Sequence, residues 1–325
     1  MMMLPRLAPI AFVLALLVPT EAFPQAFPSR PVTLVVPVAP GGILDTVARM
    51  IAAEMGKGLD GQPVVVDNKP GASGNIGAGY VAKSAADGYT LLVGYSMFHV
   101  GNPSMFANLA WDPLRDFASV AMVAVSPHVV AVNPNVPVHT LKELVDLAKK
   151  EPGKLNYASP GSGSVPHVGM ELFKQQTGID IVHVPYKGAG PMMQDVIAGT
   201  VQATIATPPS LLGFVQSGRV RALAVAAKTR HPLMPDVPTT AEAGFPNFEL
   251  EAWVALFAPA GTPPDVIARL TTAVRDALRS PAVIERARTT GMEIRYQSPR
   301  ELDATVRTDL QYWSKVIKDA NIRAD

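Results

Sequence analysis

The sequence predicts an α/β protein of two lobes facing each other across a central ligand cleft. Apolar, β-branched runs of strand length alternate with amphipathic helical patterns, which implies parallel strands joined by helical crossovers. A device of strand, glycine turn and helix opens the first half at residues 31–49 and returns at 155–167. A chain of 325 residues is long enough for two separate cores.

The opening stretch reads PVTLVVPVAPGGILDTVAR. Residues 32–38 form a buried strand ended by Pro40 and the Gly41–Gly42 pair. Val47, Met50, Ile51 and Met55 recur at helical spacing, so a helix begins near Asp45. Such a turn aims free helical N–H groups and the positive end of the helix dipole at the crevice above the strand. Read alone, it is equally a plain chain reversal.

Strands follow at 63–67 and 89–95, separated by GASGNIGAGYVAKSA. That glycine stretch is a poor dinucleotide fingerprint, because Ser73 stands at the second glycine position and the stretch follows the second strand. No cofactor is expected. Residues 116–134 carry two short strands broken at Ser126–Pro127, the second crossing into the other lobe. Thr140 and Glu143 form a capping box ahead of the helix LKELVDLAKK. LNYAS then runs into PGSGSVPH and a helix ending at Gly178, and IVHVPY, ATIAT and RALAVAA complete a second sheet of four strand–helix steps. A proline-bearing stretch leads to ELEAWVALFAP, the return crossing, and three helices with the short strand EIRYQ finish the chain. This order assigns residues 27–128 to the first lobe, joined by the returning 250–325, and 129–249 to the second.

Ahead of these lies a secretory signal, residues 1–26. Arg6 supplies the positive region, residues 7–18 the apolar core, and Thr20, Ala22 and Ala26 the small residues. Cleavage is expected after Ala26, with Ala22 the competing site, so the mature chain is exported to the periplasm. With 28 basic against 27 acidic residues, no global field favours nucleic acid. The absence of cysteine excludes disulfides, thiolate metal sites and a cysteine nucleophile.

Facing glycine turns suit a small anion, above all a carboxylate held by backbone N–H groups. Closure of two lobes on it would be a hinge motion at the two crossings. The six histidines show no metal spacing, and no catalytic elbow, Walker loop or zinc helix occurs. Only His167 is placed by sequence at the cleft, with packing or capping as its alternative role. Asp45 reads as a helix cap more than a ligand contact. Ser162 and Ser164 flank Gly163 and can donate hydroxyls, or they belong to a solvated turn. Neither has a visible base partner for hydrolysis, so no catalytic residue is assigned. Tyr95, with Ser96 after it, ends the third strand facing the cleft. Trp253 reads as a packing residue.

The blocks FPSRPVTLVVPVAPGG, QPVVVDNKPGASGNIGA, DGYTLLVG, LNYASPGSGS, HVPYKGAGP, RALAV, PDVPTTAEAG and LFAPAGTP, in that order, resemble the Bug/TctC family. These are extracytoplasmic receptors of tripartite tricarboxylate transporters, and the resemblance covers essentially the whole mature chain. It implies a type II periplasmic binding-protein fold that closes as a monomer on an organic acid and delivers it to a membrane permease. The alternative output is docking on a sensor kinase. By motif, the resemblance carries ligand contact onto Pro40, Gly41, Gly42 and Ile43, and onto Ser159, Gly161, Ser162, Gly163 and Ser164. Ile43 stands where relatives commonly have Ser or Thr, and Ala206–Thr207 where many have Asp–Asn. Thr207 joins the expected site but offers no charge to an ammonium group. The ligand is therefore expected to be an amino-free mono- or dicarboxylate. Lys187 could meet a second carboxylate, but sequence does not place it.

Overall fold

A computed structural model describes residues 27–319 and 321–323. The expected signal segment and its cleavage point lie outside the described residues. Two mixed sheets organise the chain. In sequence order the elements begin β1 (Val32–Val36), α1 (Ile43–Gly58), β2 (Val64–Asn68), α2 (Asn75–Ala82), β3 (Thr90–Tyr95), α3 (Asn102–Met105) and β4 (Phe117–Pro127). The chain then crosses through β5 (Val129–Val132) to α4 (Leu141–Lys150), β6 (Asn156–Ser159), α5 (Val165–Thr177), β7 (Val182–Pro185), α6 (Ala189–Ala198), β8 (Ala203–Ala206), α7 (Pro208–Gln216) and β9 (Arg221–Val225). It returns through β10 (Glu251–Pro259), α8 (Pro264–Ala277), α9 (Pro281–Thr290), β11 (Glu293–Gln297) and α10 (Pro299–Asp319).

The first sheet has the order β11-β4-β10-β3-β1-β2 and the second β7-β6-β8-β5-β9. As the alternation of strands and helices predicts, β1 pairs in parallel with β2 and β3, and β6 with β7 and β8. The crossing strands are antiparallel: β10 against β3 and β4, and β5 against β8 and β9. β1 is an interior strand, paired on both sides, which explains its unbroken apolar run; Val32, Leu34, Val35 and Val36 are fully buried. Each such side chain stabilises the fold by about 1.5–3 kcal/mol.

Several boundaries differ from the sequence reading. β1 stops at Val36, and α1 starts at Ile43, with Gly42 as its N-cap, not near Asp45. Ser126 and Pro127 stay within the long strand β4, and the break falls at His128. Pro127 fits because strands tolerate proline at their ends. The fourth step of the second sheet has no helix after β9: residues 226–250 are held by turns, including Thr240 N–H to Val225 O (2.9 Å). The capping box is present, with Glu143 N–H donating to Thr140 Oγ1 (3.1 Å) and Thr140 N–H to Glu143 Oε2 (3.2 Å).

The dinucleotide-like glycines have a packing role. A Cβ on Gly77 would stand 2.8 Å from the Pro37 side chain, so glycine is what lets α2 lie against the end of β1. Trp253 is buried, and its indole N–H donates to Asp309 Oδ2 (2.7 Å), tying β10 to α10.

Candidate functional site: an apolar cavity at four helix N-termini

Between the sheets lies a cavity of about 160 Å3, built from the loops at the carboxyl ends of β1, β6, β7 and β8. This is where ligands sit in open α/β sheets. Four helices, α1, α5, α6 and α7, begin at its wall, and the expected strand, glycine turn and helix precedes three of them, α7 following β8 through Thr207 without a glycine.

The four helix ends are not equivalent. α1 has no side-chain cap and no proline in its first turn, and its first internal bond is Thr46 N–H to Gly42 O. The N–H groups of Ile43, Leu44 and Asp45 therefore have no intrahelical acceptor. α6 is uncapped as well, leaving Ala189 and Gly190 as donors before Pro191. By contrast, Ser164 Oγ caps α5 at His167 N–H (3.4 Å), and Pro166 has no N–H. α7 starts with Pro208 and Pro209, and Ser210 N–H is satisfied by Thr207 O (3.0 Å). Two helix ends are open to an anion and two are largely closed.

The remaining wall is mainly apolar, with Val38, Ile43, Leu44, Tyr95, Phe98 and Met192, and carries the polar side chains of His128, Ser164, Thr207 and Ser210. Lys187 is the one lining side chain with a positive charge, and no aspartate or glutamate lines the cavity among the described residues. Asp45 is buried but faces away. Its Oδ2 accepts from Gly41 N–H (3.2 Å), and its carboxylate is further held by Arg49 (3.0 Å) and by Asn68 Nδ2 (3.1 Å to Oδ1). Burial alone would raise its pKa. The bonds from Arg49, Gly41 and Asn68 outweigh that and hold the carboxyl below its usual range. Asp45 is thus a brace for the glycine loop, neither a helix cap nor a ligand acid.

Of the residues expected at the site, Pro40, Gly42, Ile43, Tyr95, Ser164 and Thr207 line the cavity. Gly41, Ser96, Ser159, Gly161, Ser162, Gly163 and His167 are not among the residues that line it. Ser159 Oγ lies 2.7 Å from His183 Nε2 and 3.0 Å from Gly161 O, so its hydroxyl serves the interior of its own loop. Ser164 Oγ donates to Gly161 O (2.7 Å). Gly163 N–H donates to His167 Nδ1 (2.9 Å), and the His167 ring stacks on His183 at 3.9 Å. Burial lowers the pKa of both histidines, His183 to about 3, so the stack is neutral. Packing, the alternative role considered for His167, is the one the structure gives. Ser96 stands at the start of a π-helical turn (97–101) with its hydroxyl buried. Sequence reading missed Phe98, His128, Ser210 and the run 188–192. The run was detectable, since HVPYKGAGP is itself a strand, glycine turn and helix.

The loops of the two sheets are also joined by a hydrogen bond. Ser73 Oγ, from the loop after β2, donates to Ser162 O (2.6 Å) in the loop after β6, linking the two sheets' loops. Ser73 has φ 50° and its neighbour Ala72 φ 47°, conformations that cost roughly 1–2 kcal/mol each outside glycine. Ser73→Ala is expected to shift the unliganded protein toward an open form by about fivefold, the equivalent of one hydrogen bond. Ser73→Gly should open it equally while melting no lower than the parent. Small-angle scattering reads the opening; an unchanged radius of gyration in both variants would rule out a latch.

The profile described as tripartite tricarboxylate transporter family receptor matches residues 47–322. The chain is 37% identical over 300 residues to the protein BugT of Bordetella pertussis, covering 92% of each. Among solved structures it resembles an R. palustris protein solved with adipate (39% identity, TM-score 0.87, 91% of this chain and 99% of that one). It also resembles MatC of Rhodopseudomonas palustris with bound malate (37% identity, TM-score 0.85, 90% of this chain and 100% of that one). On the match over residues 47–322 and the shared fold, the chain belongs to the tripartite tricarboxylate transporter receptor family.

Proposed function

We propose that the mature chain is a periplasmic receptor that captures a small organic acid without an ammonium group and hands it to a permease of the tripartite tricarboxylate type. One observation carries the ligand class. The cavity offers open N–H donors from α1 and α6 and has Lys187 on its rim, against mainly apolar walls with no lining carboxylate among the described residues. A carboxylate is stabilised there by charge-assisted bonds and two helix dipoles. An α-amino group would be desolvated with no anionic partner. Three carboxylates would meet one cation, which disfavours citrate. The adipate and malate held by the two related structures are acids of the proposed kind.

In this reading the first lobe comprises residues 27–128 and 250–325, the second 129–249, and the crossings at His128 and Leu250 are the hinge. There the chain segments are bonded to each other, His128 N–H to Leu250 O at 2.9 Å and Ala226 N–H to His128 O at 2.8 Å. In this reading the protein binds without turnover. Of the two lining serines, Ser164 caps α5 and ties its own loop. Ser210 Oγ lies 3.4 Å from Thr207 Oγ1 with no base hydrogen-bonded to it among the described residues, the lining ring of His128 standing on another element. A thermal-shift screen of the purified mature chain against organic acids tests the reading. Mono- and dicarboxylates should raise the melting temperature in proportion to RT ln(1 + [L]/Kd), and amines and sugars should not. Stabilisation by sugars or cationic amines alone would refute it.

A further inference from the structure

One polar arrangement on the cavity wall plays no part in holding a carboxylate. Tyr95 ends β3 and is 6% exposed, its ring packed edgewise against Phe98 at 5.4 Å. His128, fully buried at the β4–β5 crossing, lines the same cavity. Its Nδ1 lies 3.3 Å from the carbonyl oxygen of Leu250. A carbonyl can only accept, so Nδ1 carries the imidazole proton, and Nε2 is left as an acceptor. Nε2 stands 3.5 Å from Tyr95 Oη, a long contact that offers the phenol proton an acceptor on the side of His128. The ring is held in place by its complete burial and by the Nδ1 contact, while backbone bonds to Leu250 (2.9 Å) and Ala226 (2.8 Å) fix the main chain that carries it.

The consequence concerns what Tyr95 offers a ligand. With its proton turned to His128, the phenol oxygen presents lone pairs to the cavity. A second carboxylate placed there would meet another acceptor in a poorly solvated wall, and a methyl group would leave the oxygen unsatisfied. A hydroxyl group completes the arrangement by donating. We propose that Tyr95 and His128 form a specificity subsite for a hydroxyl on the bound acid, so that this receptor selects hydroxy acids: carboxylate toward α1, α6 and Lys187, hydroxyl toward Tyr95. This rests on the carboxylate reading above. His128 positions the Tyr95 proton, and Tyr95 makes the contact.

Matched acids isolate the subsite. Calorimetric titration would compare hexanoate, 6-hydroxyhexanoate and adipate, and separately benzoate, 4-hydroxybenzoate and terephthalate, which differ only at the end remote from one carboxylate. In at least one series the hydroxyl member should bind about tenfold more tightly than both others, the worth of one buried hydrogen bond. Tyr95→Phe keeps the ring and should abolish that preference, weakening the hydroxyl member and relieving the penalty that the phenol oxygen imposes on the other two acids. Saturable binding of the acids with no hydroxyl preference in either series would overturn the subsite and leave the carboxylate reading intact. So would a preference that persists in Tyr95→Phe. Binding by none of the six acids would overturn both readings.

Discussion

Gly42→Val is expected to lower affinity for the bound acid at least about 100-fold while leaving the unliganded melting temperature nearly unchanged. Gly42 is the N-cap of α1 and lines the cavity; its φ is −87°, which any residue adopts, and a Cβ there meets nothing within 4 Å. The added isopropyl group therefore strains no backbone and stands in front of the Ile43, Leu44 and Asp45 N–H groups. Losing two or three charge-assisted bonds accounts for the magnitude. Gly163, the equivalent glycine of the serine loop, should behave in the opposite way. Its φ is +76°, so Gly163→Val costs roughly 1–2 kcal/mol of stability and about 2–8 °C in melting temperature. Its N–H is already bonded to His167, so it has no free donor to lose. Titration and melting of the two variants check this. Retained affinity in Gly42→Val would remove the N-terminus of α1 from the site.

The second large effect is on acid stability. Burial lowers the pKa of His99 to about 3 and of His128 to about 4, each a fully enclosed ring. Both stay neutral in the folded protein where the unfolded chain, with a histidine pKa near 6.5, takes up protons. Stability therefore falls as pH drops from about 6.5 toward 4, by about 2 kcal/mol for each ring at pH 5. Glu251 and Asp309, raised by burial, act in the opposite sense and offset part of the loss. Asp45, held low, contributes only once pH falls below the ordinary carboxylate range. Urea unfolding at pH 7 and pH 5 should show the decline. His99→Phe should reduce it by about 2 kcal/mol, because that ring is stacked on Phe257 at 4.1 Å in an aromatic cluster that a phenyl group can fill. An equal pH 7-to-pH 5 difference in parent and variant would contradict the assignment.

The strand–helix alternation was legible because buried parallel strands need continuous apolar runs and crossover helices need a single apolar face. The glycine loop at Pro40–Ile43 was legible for the same reason: it sits between the two patterns. What was not legible is where a side chain's bonds go. The hydroxyls of Ser159 and Ser164 look like donors in sequence but are bonded within their own loop. Asp45 has the position of a cap, yet Arg49 and Asn68, four and 23 residues further along, turn it into a brace. His128 carried no sequence signal, because its place depends on β4 crossing into the second sheet one residue beyond the break expected at Ser126–Pro127. The α6 turn carried the same glycine signal as the loops chosen, and its open N-terminus only became distinguishable from that of α5 once Ser164 was seen to cap α5.

The most direct test of the central claim is calorimetric titration of the mature chain with adipate, benzoate, glutamate and citrate under one set of conditions. A cavity with two open helix ends and, among the described residues, one lysine and no carboxylate on its wall should bind at least one of the amino-free acids at micromolar or tighter affinity. Glutamate should be far weaker, for want of a partner for its ammonium, and citrate weaker still, for want of cations. Micromolar binding of glutamate or citrate, with none of adipate or benzoate, would contradict the account.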